Sequence, residues 1–331
     1  MRWPLGLWPT RRGAAVATVA ALALAVGALT SARSLNAVVV PALVALFAGG
    51  AQLVRADPPS VERSAPAPGF PGDRRTVAVT VDSEVPCRVT DAVGRGLSPE
   101  SETTETVGHG GSFEYAVELT GRGDQDLGPA TCRLTDSLGL FATEHRAAGT
   151  GAALVYPDVY GMDGAVLAPL VRRVRGEEQA SFDRLREFAS GDTMRDIHWR
   201  ASAKRQADEF VVAEYESYGE MDAVAVVGEA PPDGADEMAA TVASVAAFFH
   251  DAGVPVTVIV PDGRCVAPPG EMRPLLRLLA VTDAGRLEAD RRAGADVYVR
   301  GEDGAATVSM EDREVAFGGV AGERRGREVV A

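Results

Sequence analysis

Asp192, His198 and Ser202 are the residues of this sequence whose types and spacing come nearest to a reaction. They lie in FDRLREFASGDTMRDIHWRASAKR, residues 182–205. On a helix, His198 and Ser202 four positions apart would set a base beside a hydroxyl, the pairing nucleophilic catalysis needs. Asp192 would have to complete a hydrolase triad. However, no glycine-rich nucleophile turn surrounds Ser202, and nothing in the spacing assures an orienting carboxylate, so a hydrolase is kept as an alternative to a non-enzymatic reading.

The elements that would position these residues suggest binding or clamping. Gly191 ends one element and Asp192 is placed to cap the next helix. Asp192, Arg195, Trp199 and Ser202 follow spacings of 3, 4 and 3 on one helical face, with Met194, Ile197 and Ala201 roughly opposite. From Arg172 to Arg205 nine basic residues (Arg172, Arg173, Arg175, Arg184, Arg186, Arg195, Arg200, Lys204 and Arg205) meet six acidic ones, a local balance of +3 inside a chain of −14. Such a region suits an acidic partner surface or anionic lipid headgroups. The competing reading is internal pairing, with Arg186 and Arg195 bridging to Asp183, Glu187 or Asp192.

Composition narrows the classes. With 331 residues, 46% of them apolar, the chain has material for two or three compact units. Lys204 is the single lysine among 33 basic residues, against 47 acidic ones. That surface fits a halophilic source, where salt screens self-repulsion, although codon bias toward Arg, Ala, Gly and Asp competes as an explanation. Overall acidity and the absence of a nucleic-acid fold signature exclude nucleic acid as the expected partner. Cys87, Cys132 and Cys265 are far apart, form no CxxC and do not cluster with the histidines, so neither a metal site nor a cofactor is expected. Cys87 and Cys132 could pair outside the cell; buried free thiols are the alternative.

Residues 13–32 and 34–54 carry no charge, and each is long enough to cross a bilayer. They predict a transmembrane helical hairpin at 13–55, with Trp3 and Trp8 at the interface and Arg33 in the turn. The positive-inside rule then puts residues 1–12 and everything after Arg55 in the cytoplasm of a cell-membrane protein. A cleaved signal, TRRGAAVATVAALALAVGALTSA, is the runner-up. Five prolines between Asp57 and Gly72 predict a stiff linker over 56–73 that holds the soluble part off the bilayer.

From 74 to 158 the hydrophobic period is two, as in TVAVTV and SFEYAVEL, which predicts a small antiparallel β-sandwich. His109 and His145 sit in polar, loop-like surroundings there. The basic region follows at 159–208, and 209–300 then alternates strands and helices: FVVAEYE, AVAVV, a helix from Gly234 to Ala252 with Met238, Val242, Val245 and Phe249 as its apolar stripe, PVTVIV, EMRPLLRLLA and ADVYVR. His250 in the last turn of the long helix would favour the dipole as a cation. Residues 301–331 read as a Gly-rich charged tail that frays.

LREFASGDTMRDIHWRASAKR resembles the signature of a bacterial and archaeal family called domain of unknown function 58, through Leu185, Arg186, Glu187, Gly191, Asp192, Arg195, Ile197, Trp199, Ser202 and Ala203. LGPATCRLTDSLGLF (127–141) and LVYPDV (154–159) are similar to further landmarks of that family. The resemblance covers roughly residues 10–230. It implies a membrane-anchored protein that accompanies a MoxR-type AAA+ ATPase, often with transglutaminase-like membrane proteins, and that ends in a von Willebrand factor A-like domain. It implies no catalytic activity. The D-x-S-x-S that a metal-binding A domain presents after its first strand is replaced here by GEAPP at 228–232, so a degenerate, metal-free fold is expected.

The expected architecture is therefore multi-domain α and β: a two-helix hairpin, a small antiparallel β-sandwich and a C-terminal α/β domain resembling a degenerate A domain. The expected function is a non-enzymatic adaptor or scaffold in the lipid bilayer, acting with the ATPase and a membrane-protein complex in assembly or remodelling of envelope proteins. The ten residues that carry the central resemblance would be its interaction or structural motif. The alternatives are the hydrolase above and a metal-dependent extracellular adhesion protein.

Overall fold

The computed structural model describes residues 6–30, 33–147, 149–174, 182–187, 211–215, 223–310 and 313–329. The chain divides into two compact units, 1–156 and 157–331. Two apolar N-terminal helices, antiparallel sheets and a mixed α/β region make up the architecture.

In the first unit the two uncharged runs form α1 (Arg11–Thr30) and α2 (Asn36–Arg55), both long and apolar enough to cross a membrane. Leu22, Leu24, Val26, Leu29, Val40, Leu43, Val44 and Phe47 stand exposed on them, a surface that water would not tolerate in bulk. The strands are β1 (Trp8–Pro9), β2 (Ser60–Arg63), β3 (Arg74–Asp82), β4 (Cys87–Thr90), β5 (Leu97–Pro99), β6 (Thr104–Val107), β7 (Gly111–Leu119), β8 (Gly123–Leu127), β9 (Thr131–Thr135), β10 (Phe141–Arg146) and β11 (Gly151–Val155). They make a five-stranded sheet, β1-β10-β9-β4-β6, a four-stranded sheet, β2-β3-β7-β5, and the ribbon β11-β8.

The period-two pattern is what builds the core. Val77, Val79 and Val81 of β3 point inward beside Tyr115, Val117 and Leu119 of β7, and meet Cys87, Val89, Cys132 and Leu134 of the other sheet. Leu53 of α2 packs into the same core. The expected linker is a correction: Ser60–Arg63 pairs antiparallel with β3, Val61 is buried, and Phe70 packs on Tyr156 with ring centroids 5.3 Å apart. Prolines on both sides mask a two-residue alternation too short to stand out.

The second unit contains β12 (Val159–Met162), α3 (Gly164–Val174), β13 (Phe182–Glu187), β14 (Val211–Tyr215), β15 (Val224–Glu229), α4 (Ala235–Asp251), β16 (Val256–Val260), β17 (Gly263–Ala267), α5 (Arg273–Val281), α6 (Ala289–Arg292), β18 (Val297–Glu302), β19 (Ala305–Met310), β20 (Arg313–Ala316) and β21 (Ala321–Arg325). Its six-stranded sheet runs β17-β16-β15-β18-β19-β20, with β16, β15 and β18 parallel and the outer pairs antiparallel. α4 is buried on more than its expected stripe, because Ala243, Ser244 and Ala247 are covered as well. The ribbon β12-β21 lies against it, and the Tyr160 N–H donates to Ser244 Oγ at 2.9 Å. Hydrophobic residues on all sides are what a helix packed on two faces requires.

One further expectation changes. In place of a fraying tail, the described residues 301–310 and 313–329 include β19, β20 and β21, with Ala306, Val308 and Met310 buried by alternation. His250, in the last turn of α4, accepts at Nε2 from the Gly270 N–H at 2.9 Å and so ties the end of α4 to the turn before α5.

Candidate functional site

Functional geometry among the described residues gathers at two places, one in each unit. In the first, the turn at Asp136–Phe141 seats the apolar hairpin. Asp136 is buried, and its carboxylate accepts from the N–H of Leu138 at 3.0 Å and of Phe141 at 2.6 Å. Gly139 takes φ +68°, the left-handed conformation that the turn demands and that side chains disfavour. The turn offers outward carbonyls: Thr10 donates through its N–H to Leu140 O at 2.8 Å and through its hydroxyl to Gly139 O at 2.5 Å.

Both helices are shaped to this turn. A methyl group at Gly13 of α1 would overlap the Leu140 carbonyl oxygen, and one at Gly49 of α2 would come within 2.9 Å of Asp136 Oδ2. Gln52 donates to Ser137 Oγ at 2.9 Å and accepts from the Ser137 N–H at 3.1 Å. β1 completes the seat by pairing Trp8 with Ala142 and Pro9 with Phe141, while Arg133 stands 6.0 Å from the Trp8 ring centroid. Residues 6–9, the hairpin base and the sandwich therefore form one built joint.

Behind the joint, the sandwich holds a buried ion pair. Arg63 and Asp91 have side chains 2% and 0% exposed and meet at 2.6 Å, with Tyr115 Oη donating to Asp91 at 2.7 Å and Arg63 donating to Gly149 O at 2.6 Å. Burial, followed by the hydrogen bond to Asp91, pushes the Tyr115 phenol up. Cys87 and Cys132 are free, buried and in contact, and that contact together with burial pushes the Cys87 thiol up. A fully satisfied pair of this kind locks a core; it offers no open position for a substrate.

The second place is the carboxyl edge of the parallel strands. The chain passes from β15 to β16 on one side and later to β18 on the other, so the ends of β15 and β18 flank the switch point where open α/β sheets take ligands. Glu229 closes β15 there, 7% exposed, and accepts from Tyr298 Oη and from the Leu287 N–H at 3.0 Å, with Arg292 Nη1 3.7 Å away. Burial alone would raise its carboxyl; the Tyr298 and Leu287 donors and the charges of Arg292 and Arg286 outweigh it and hold the carboxyl below the usual range. A hollow of about 250 Å³ opens beside it, rimmed by Arg286, Arg292 and Arg300.

A hard divalent cation wants several oxygen ligands. This edge offers one carboxylate, its oxygens engaged, among three guanidiniums, and the donor set does not fit such a metal. Among the described residues no group of three or more His, Cys, Asp or Glu converges. What the edge can do chemically is receive an oxyanion, most simply an acidic side chain, by charge-assisted hydrogen bonds.

No family model matches the chain, and no curated protein matches it. Nine solved chains match. One is the PKD domain of an M14-like peptidase from Thermoplasmatales archaeon SCGC AB-540-F20, at 15% identity over 28% of this chain and 99% of its own, with a TM-score of 0.21. A likeness of that size carries no argument.

Of the residues singled out by sequence, Leu185, Arg186 and Glu187 lie on β13, opposite Ala213, Val212 and Val211 of β14. Gly191, Asp192, Arg195, Ile197, Trp199, Ser202 and Ala203, and with them His198, lie outside the described residues. Glu229, inside GEAPP, and Tyr298, inside ADVYVR, carry no site signal in the sequence on their own, nor do Arg286 and Arg292, although an acidic residue closing the apolar run AVAVVGE is a usable one. In the sequence Asp136, Gly139 and Phe141 stand out only as landmarks of the resemblance; their role as a seat depends on Gly13 and Gly49, more than eighty positions away.

Proposed function

We propose that this protein is a membrane-anchored, non-enzymatic adaptor of the domain of unknown function 58 type. It works with a MoxR-type AAA+ ATPase, its soluble units in the cytoplasm, in the assembly or remodelling of envelope proteins. The observation that carries this reading is the built joint between the apolar hairpin and the sandwich. A protein that only needed tethering could use a loose linker, whereas Thr10, Gly13, Gly49 and Gln52 are fitted to the Asp136 turn. The turn is made of Asp136, Gly139, Leu140 and Phe141, which are landmarks of the resemblance.

The C-terminal unit is read as a degenerate A-like domain. Its parallel strands with α4 between β15 and β16, and the replacement of the metal motif by Glu229, Pro231 and arginines, support a domain used for protein contact. The arginine-rimmed hollow is suited to an acidic side chain of the partner, and the basic segment around Arg195 and Trp199 is the second contact expected.

Affinity purification of the full chain from its own membranes in high salt, with mass spectrometry of what co-elutes, tests this. A stoichiometric AAA+ ATPase, lost on Trp199→Ala in a chain of unchanged thermal stability, is expected. Recovery of the native chain alone, with and without nucleotide, would defeat the adaptor reading.

A further inference from the structure

At the base of the hairpin a cleft of about 680 Å³ runs between α1, α2 and the start of β10. Ala17, Phe47, Gly50, Val54 and Phe141 wall it, and Arg55 stands at its lip. Water has almost nothing to bond to in such a space, so it does not fill it stably. The cleft opens beside the exposed apolar faces of the two helices, at the end where they meet the sandwich. In a bilayer that level is the boundary between acyl chains and headgroups, and the apolar occupant at hand is a lipid chain.

The charges at the same end identify the headgroup. Arg11 and Arg12 open α1, where a cation is disfavoured by the helix dipole and the first turn holds no acidic residue. Arg55 ends α2 and lies exposed. Arg11 and Arg12 at the start of α1 and Arg55 at the end of α2 thus lie at the same end of the hairpin as the cleft, which Arg55 lines, and guanidinium matches phosphate as a fork. We infer that the cleft is a binding site for one anionic phospholipid, its acyl chain between α1 and α2 and its phosphate among Arg11, Arg12 and Arg55. This inference rests on the membrane reading of the hairpin.

Gly50 is the lever for a test. A Cβ there meets nothing closer than Phe141 at 4.0 Å, and Gly50 lines the cleft, so a larger side chain has that space to fill. The full chain is placed in nanodiscs of equal phosphatidylglycerol and phosphatidylcholine, extracted with mild detergent, and its retained lipid read by native mass spectrometry. The native chain is expected to retain phosphatidylglycerol, Gly50→Phe to lose it at unchanged thermal stability, and Arg55→Gln to lose the preference over phosphatidylcholine. Equal retention by native and Gly50→Phe chains, or no preference in the native chain, would overturn the site. Carbonate extraction of the source membranes separates the two failures. Release of the native chain removes the anchor and the lipid site together, whereas a resistant chain without selective lipid removes the site alone.

Discussion

Asp91, Asp136 and Glu229 are the acidic side chains that are buried among the described residues, and each accepts hydrogen bonds from donors around it. Glu229 lends itself to measurement. Its folded-state carboxyl titrates below the ordinary value of 4.5, so its contribution is present above that pH and is lost as pH falls through the depressed value. Glu229→Gln should cost about 1–3 kcal/mol in denaturant unfolding at pH 7, because a donor and Arg292 lose their partner. The gap between native and variant should close as the pH drops below 4.5. A gap that stays constant to pH 3 would show that the carboxylate's charge is not what holds the edge. No count of Asp and Glu could have picked these three from 47. Burial is a property of partners distant in the chain, such as Arg63 for Asp91 and Tyr298 for Glu229.

At the scale of elements, the patterns that were legible are those with enough residues to show a period. β3 and β7 announced themselves through alternation over nine residues each, and α4 through its apolar positions. β2 has four residues among prolines and carries one buried apolar side chain, so it read as spacer. β20 and β21 are short and expose most of their residues, and read as tail. The hairpin was visible as two uncharged runs, but its seat was not, because Gly13 reads in sequence as one more small residue of an apolar helix. Gly13→Val should lift α1 from the Asp136 turn. Hydrogen exchange at the Thr10 amide, now bonded to Leu140 O at 2.8 Å, should accelerate while α1 stays helical. Gly50→Val, whose Cβ would meet nothing nearer than 4.0 Å, should leave that amide protected. Equal protection in both variants would mean that α1 does not depend on the turn.

At the scale of the molecule, an acidic, arginine-rich chain carries two helices long and apolar enough to cross a membrane, fixed to the sandwich by a built joint, and its basic features are the proposed contacts. The sequence-level expectation of a soluble part held off the bilayer by a stiff spacer gives way to a sandwich that begins at the hairpin itself. Spin labels distinguish these two arrangements. With Cys265→Ser removing the partly exposed thiol, labels at Gln52→Cys and Ser137→Cys report whether the end of α2 and the turn are neighbours in intact membranes. Strong dipolar broadening, abolished by Gly49→Val, whose side chain would meet Asp136, is the predicted result. Sharp, unbroadened spectra from the doubly labelled native chain would contradict the account and restore the spacer.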